Sequence, residues 1–143
     1  KKLGWRPDVV HCHGWMTGFT PLYLKTMYAN DPHFSDASIV YTSYGDNAED
    51  KFTGDVMAKL AFDKIDAKAA EEMTEPTVAN LNKLAVKYSD GYAYGTETIN
   101  DDLKSYIAST NKPVLEYADE ENTVASHQEF YKSILSENEV AVD

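Results

Sequence analysis

The stretch Asp8-Val-Val-His-Cys-His-Gly-Trp-Met-Thr-Gly-Phe-Thr-Pro-Leu-Tyr-Leu-Lys25 decides how this chain folds. Asp8–Cys12 has the apolar, β-branched run of a short buried strand. Two histidines and Gly14 close it, and a helix is expected over Thr17–Tyr28, with Phe19, Leu22 and Tyr23 on its apolar side. In an open α/β sheet the ligand crevice lies outside the carboxyl ends of the strands, beside helix N-termini. His11, His13 and Trp15 fall at such a place.

Outward from this stretch, strand-like and helix-like segments alternate. Ala29-Asn-Asp-Pro32 is a turn, since proline cannot continue a helix. Ser38–Ser43 is a second strand, and the polar Tyr44–Gly54 after it is a candidate active-site loop. A helix is expected over Val56–Ile65, with Asp66–Glu75 continuing it or forming a loop. Pro76 suits the first turn of a helix whose face is Val78, Leu81, Leu84, Ala85 and Tyr88. Gly91–Gly95 reads as a third strand and Pro113–Ala118 as a fourth, joined by a helix from Thr96 that buries Ile99, Leu103, Tyr106 and Ile107. Ser126 and Glu129 have capping-box spacing before a last helix carrying Phe130, Ile134 and Leu135, and Glu137–Asp143 is expected to fray. Strands separated by helices imply an α/β fold with a mainly parallel sheet of about four strands and right-handed crossovers. The first strand starts close to residue 1, so 1–143 is expected to form part of a larger domain.

Composition narrows the function. The chain is 43% hydrophobic and 26% charged, as in an ordinary globular protein. Thirteen basic against 24 acidic residues give a net charge of −11, which argues against a nucleic-acid partner. No apolar run approaches the roughly 20 residues that span a bilayer, so no membrane association is expected. The single Cys12 excludes an internal disulfide and suits a reducing, cytoplasmic location. No glycine-rich phosphate loop is present, and no cofactor is implied.

The pair His11 and His13 has three readings. Alternate residues of a strand point the same way, so both imidazoles could ligate zinc in a metal-dependent hydrolase. Such a site needs further ligands, and the remaining histidines, His33 and His127, fall in a turn and in the last helix, so no metal is assigned. A histidine on a buried strand is often a hydrogen-bonded core residue, and His11 is read that way. His13, at the strand tip, is read as the contact to a polar ligand, with Trp15 as a flat apolar wall or else a core residue. An aromatic face beside hydrogen-bonding groups suits sugars.

The segment Pro7–Leu24 resembles the Pro-Asp-(Val/Ile)-(Val/Ile)-His-x-His-Asp-Trp-x-(Thr/Ala)-(Gly/Ala)-x-x-Pro-x-Tyr-Leu segment of bacterial glycogen and starch synthases. Ser38–Gly45 is similar to that family's next strand, ending in Thr-x-His-Asn. Tyr88–Asp90 with Tyr92–Asn100 is similar to its Ala-Asp-x-(Ile/Val)-x-x-Val-Ser-Pro-x-Tyr-Ala. The resemblance implies a Rossmann-like three-layer α/β unit, 1–143 being a partial N-terminal domain of a two-domain glycosyltransferase. It implies transfer of glucose from a sugar nucleotide, ADP-glucose, to an α-1,4-glucan. His13 becomes the candidate catalytic contact, and Gly14, Trp15, Tyr44 and Thr96 the candidate substrate-binding residues. The family's upstream Lys-x-Gly-Gly-Leu loop and its second Rossmann-like domain are missing partners, and the fragment alone is expected to be inactive.

Three departures keep a second reading open. Gly14 replaces the family's aspartate, Tyr44-Gly45 stand for His-Asn, and Thr96-Glu97 for Ser-Pro. The alternative is a non-catalytic glucan- or nucleotide-binding module with a degenerate site, in which Tyr44, Tyr92 and Tyr94 form an aromatic sugar surface.

Overall fold

The structure, a computed structural model, describes residues 4–45 and 47–140, with side chains to Ser136. Strands β1 (Val9–His13), β2 (Ser38–Ser43), β3 (Gly91–Tyr94) and β4 (Val114–Leu115) form one parallel sheet in the order β1-β2-β3-β4. Val9 pairs with Ser38 and His13 with Thr42, so the tips of β1 and β2 lie level. Right-handed crossovers in a monotonic strand order all fall on one face of the sheet. Helices α1 (Thr20–Lys25), α3 (Val78–Lys87) and α4 (Asp101–Ser109) accordingly share that face, where Leu24, Ala85, Val86, Leu103 and Ile107 pack on Cys12, Ile39, Tyr41 and Tyr92. Outside them, α2 (Val56–Phe62) and a kinked 3-10 segment, Ala67–Thr74, build a second core on Leu22, Leu81 and Leu84.

Helix α5 (Thr123–Val140) follows the last strand and takes the opposite face. There Phe130 and Ile134 are buried against Val40 and Ala93. Gly91 makes this approach possible, because a Cβ at that position would lie 2.6 Å from Ile134 Cδ1. Helices, sheet and α5 make the three layers of a Rossmann-like α/β unit. The alternation of β1 sends Val10 and Cys12 to the α3–α4 side and Val9, His11 and His13 to the α5 side.

Several element boundaries differ from the sequence expectation, each for a local reason. The helix expected over Thr17–Tyr28 is a 3-10 turn, Trp15–Thr17, followed by the short α1, with Pro21 in its first turn. The helix after the 44–54 loop ends at Phe62, because Asp63 caps it and Lys64 turns left-handed at φ 62°. Pro76 lies outside α3, whose N-cap is Thr77, its hydroxyl accepting from the Asn80 amide at 3.1 Å. Helix α4 starts at Asp101 rather than Thr96, because Asn100 accepts from the amides of Asp102 and Leu103 and two aspartates follow it. The fourth strand shrinks to Val114–Leu115, the two residues that pair with Tyr92 and Ala93. Ser126 does not cap α5: the helix begins at Thr123, its turn closed at Asp119, and Ser126 already donates its amide to Asn122. The expected frayed tail is helical in its backbone to Val140, and 141–143 lie outside the described residues.

Candidate functional site

The chain leaves β1 at Gly14 with φ 72° and ψ 165°. This backbone region is almost closed to residues with a side chain. The Gly14 amide donates to the carbonyl of Thr42 at 2.8 Å, tying the exit of β1 to the tip of β2. The aspartate that the resembling family carries at this position would be strained here, so the departure at Gly14 matches the local backbone. Tyr44 uses the space left by two glycines. Its ring carbons lie 3.8 Å from where a Gly14 Cβ would stand and 2.6 Å from where a Gly95 Cβ would.

His13 is exposed at this edge. Its Nδ1 is hydrogen-bonded to the Tyr44 hydroxyl at 3.1 Å. Among the described residues its Nε2 has no partner, so that nitrogen is open to a ligand. Burial, and then the neighbouring His127, hold its pKa below the ordinary 6.5. A neutral imidazole with one nitrogen bound and the other open can accept or donate a single hydrogen bond to a sugar hydroxyl.

His11 is held from both sides. Its Nδ1 meets the Tyr131 hydroxyl at 2.6 Å and its Nε2 the Thr42 hydroxyl at 2.7 Å. Burial, then His13 and His127, pull its pKa from 6.5 to about 3. With both nitrogens engaged, His11 supports the site and offers nothing to a ligand. His127 of α5 lies 5.7 Å from His11 between ring centroids, at 29° between planes. Its Nδ1 is 2.8 Å from the Thr123 carbonyl, which can only accept, so Nδ1 carries the proton.

Three imidazoles therefore gather where the sequence suggested two. They stack in near-parallel planes, so their lone pairs do not converge on a common point as tetrahedral ligation requires. Among the described residues no group of three or more His, Cys, Asp or Glu is placed to hold a metal ion. Cys12 faces the other side, buried, its thiol pushed up to about 11.

The remaining expected residues divide. His13, Gly14 and Tyr44 are brought together, and Thr96 borders them, its Oγ1 lying 3.9 Å from where a Gly45 Cβ would stand while it donates to the Thr98 carbonyl. Trp15 turns away from His13. Its ring pairs with Phe52, centroids 5.7 Å apart, and lines a cavity of about 500 Å³ with Asn47, Asp50, Lys51 and Val78. Tyr92 is fully buried, its hydroxyl bonded to Ser43 at 2.6 Å, and the half-buried Tyr94 packs edge-on against it. Tyr92 is therefore closed to any sugar surface with Tyr44. Sequence reasoning missed Thr42 and Tyr131, and it set His127 aside as a residue of the last helix. The spacing of His127, Phe130, Tyr131 and Ile134 marks one helix face and could have placed the last two polar residues beside the buried ones.

An open parallel sheet with helices on both faces and a polar cluster at the carboxyl ends of β1 and β2 defines a Rossmann-like α/β protein. A family model for the starch synthase catalytic domain matches residues 1–111, and the chain belongs to that family. It is 31% identical to a glycogen synthase of Photobacterium profundum over 109 residues, covering 76% of this chain and 21% of that protein. A glycogen synthase of Pelodictyon phaeoclathratiforme is 28% identical over 113 residues, 74% of this chain and 22% of that protein. Over a shorter 42 residues, 29% of this chain and 9% of that protein, a glycogen synthase of Chlorobium limicola is 52% identical. The chain thus spans about a fifth or less of the length of these curated relatives. Helix α5 lies outside the matched residues.

Proposed function

We propose that this chain is the part of a glycogen- or starch-synthase-type glucosyltransferase that presents His13 to the sugar of the donor. In the parent protein, glucose passes from ADP-glucose to the end of an α-1,4-glucan. The observation that carries this reading is His13 Nε2, open at the carboxyl edge of β1 within the family-matched segment. Tyr44 orients the ring, Gly14 sets the turn beside it, and Thr96 borders the crevice. Trp15, with Phe52, offers the flat apolar wall for the glucan, on a separate surface from the donor contact.

Glucosyl transfer also needs cations or helix dipoles at the departing diphosphate. Several cations of this chain are tied elsewhere. Lys112 donates to the carbonyls of Val86, Lys87 and Ser89, Lys25 pairs with Asp90, and Lys87 with Glu72. We therefore assign the diphosphate contacts to a further domain and read residues 1–143 by themselves as inactive. Among the described residues no helix is long and apolar enough to cross a membrane. The buried free thiol of Cys12 supports a cytoplasmic location.

Gly14 and Tyr44 favour one competing reading, a glucan- or nucleotide-binding module without transfer. Incubating the intact protein with ADP-[14C]glucose and glycogen separates the two. Label in the glycogen supports the transferase. Retardation on a glycogen affinity gel with no label incorporated supports the module and overturns the transferase.

A further inference from the structure

Helix α5 lies beyond the 111 residues shared with the family, yet two of its side chains reach the histidine cluster. We propose that Tyr131 and His127 are positioning residues for His13, acting through His11. The inference rests on His13 as the sugar contact. It adds that a helix outside the family-matched segment sets the geometry of that contact.

The chain of contacts is continuous. The Tyr131 hydroxyl and the Thr42 hydroxyl take both nitrogens of His11, at 2.6 and 2.7 Å, so the ring of His11 can neither flip nor rotate without breaking two bonds. His11 in turn lies flat on His13, with centroids 4.0 Å apart and 25° between planes. His13 is then confined between that stack and its bond to Tyr44. His127, anchored to its own helix at Thr123, backs His11 on one side and meets the Tyr131 ring at 6.0 Å. A side chain held this way loses little rotamer freedom when a ligand arrives, which is how positioning raises affinity.

Docking of α5 itself rests mainly on other side chains, with the Tyr131 ring packed beside them. Phe130 and Ile134 are its buried side chains against Val40 and Ala93. Removing the Tyr131 hydroxyl or the His127 ring therefore leaves the helix in place and loosens the cluster. The titratable groups that face one another here are His11 and His13 on β1, Tyr44 after β2, and His127 and Tyr131 on α5. His127 depresses the His13 titration directly.

The test uses Tyr131→Phe and His127→Gln in the intact protein. NMR titration of the histidine side chains needs no ligand. His127→Gln is expected to move the His13 midpoint upward, and Tyr131→Phe, which removes the hydroxyl bonded to His11, to shift the ring-nitrogen resonances of His13. ADP-glucose affinity is expected to fall roughly 5- to 10-fold in Tyr131→Phe, the size of one lost hydrogen bond. An unmoved His13 midpoint together with unshifted His13 ring resonances overturns the proposal, whichever variant folds well enough to be read. His13→Ala is the separate control. If it leaves ADP-glucose affinity unchanged, the sugar-contact reading fails, and the histidine titrations still decide whether α5 positions the ring.

Discussion

The imidazole of His11 lies flat against that of His13, 4.0 Å between centroids, at the point where β1 ends and the chain turns at Gly14. One ring is bonded at both nitrogens and the other at one. The two histidines of a single His-x-His motif thus have different work, and they respond differently to substitution.

His13→Ala removes the open nitrogen at the exposed tip of β1. ADP-glucose binding by the intact protein, measured by titration calorimetry, is expected to weaken roughly tenfold or more. Stability should change by less than about 1 kcal/mol, since the residue is exposed. Full binding by the variant contradicts the assignment.

His11→Ala has the opposite signature. It strands the hydroxyls of Tyr131 and Thr42 and leaves a hole between β1 and α5. Urea unfolding is expected to show a loss of about 2–3 kcal/mol. A loss of binding at unchanged stability would instead make His11 a ligand contact.

Acid weakens the fold through the same residue. The folded pKa of His11, about 3, lies below its ordinary 6.5, so the unfolded chain binds the proton more tightly. The stabilisation is whole above pH 6.5 and drains away as pH falls from there towards 3. Between pH 7 and pH 5 this removes at most about 2 kcal/mol. His13, shifted in the same direction, adds to the loss. Unfolding curves at both pH values check it: His11→Gln should flatten the dependence, and a flat wild-type profile rules it out.

Restoring an aspartate at position 14 should not restore anything. At φ 72° and ψ 165° a side-chain-bearing residue costs about 1–3 kcal/mol. Gly14→Asp is therefore expected to lower the melting temperature without tightening ADP-glucose binding. A variant as stable as wild type would show that the turn can adopt another backbone.

Gly18 is a packing glycine. A Cβ there would stand 2.6 Å from Leu81 Cγ, a leucine of α3 that is 1% exposed. Gly18→Ala should destabilise by about 1–3 kcal/mol through overpacking. Differential scanning calorimetry reads the effect, and an unchanged melting temperature would mean that α3 gives way.

Much of the fold was legible in local pattern. Ser38–Ser43 is a strand with the predicted limits because Ile39-Val-Tyr-Thr42 is β-prone and all six residues are buried. Boundaries were lost where a nearby cap outcompeted the predicted one: Asn100 over Thr96, and the turn at Asp119 over Ser126. These contests turn on single hydrogen bonds that periodicity does not register.

The sequence alone determined the strand–turn–helix at residues 8–25, the parallel α/β class, and His13 at a strand tip. Each follows from side-chain period and from glycine and proline placement, which are properties of neighbours along the chain. Only the tertiary structure decided that His127 and Tyr131, more than a hundred residues away, complete the cluster around His11, and that Trp15 serves a different surface from His13. The physical reason is the sheet order. Three crossovers occupy one face, the last helix covers the apolar Val40 and Ala93 on the other, and its polar side chains there meet what β1 presents.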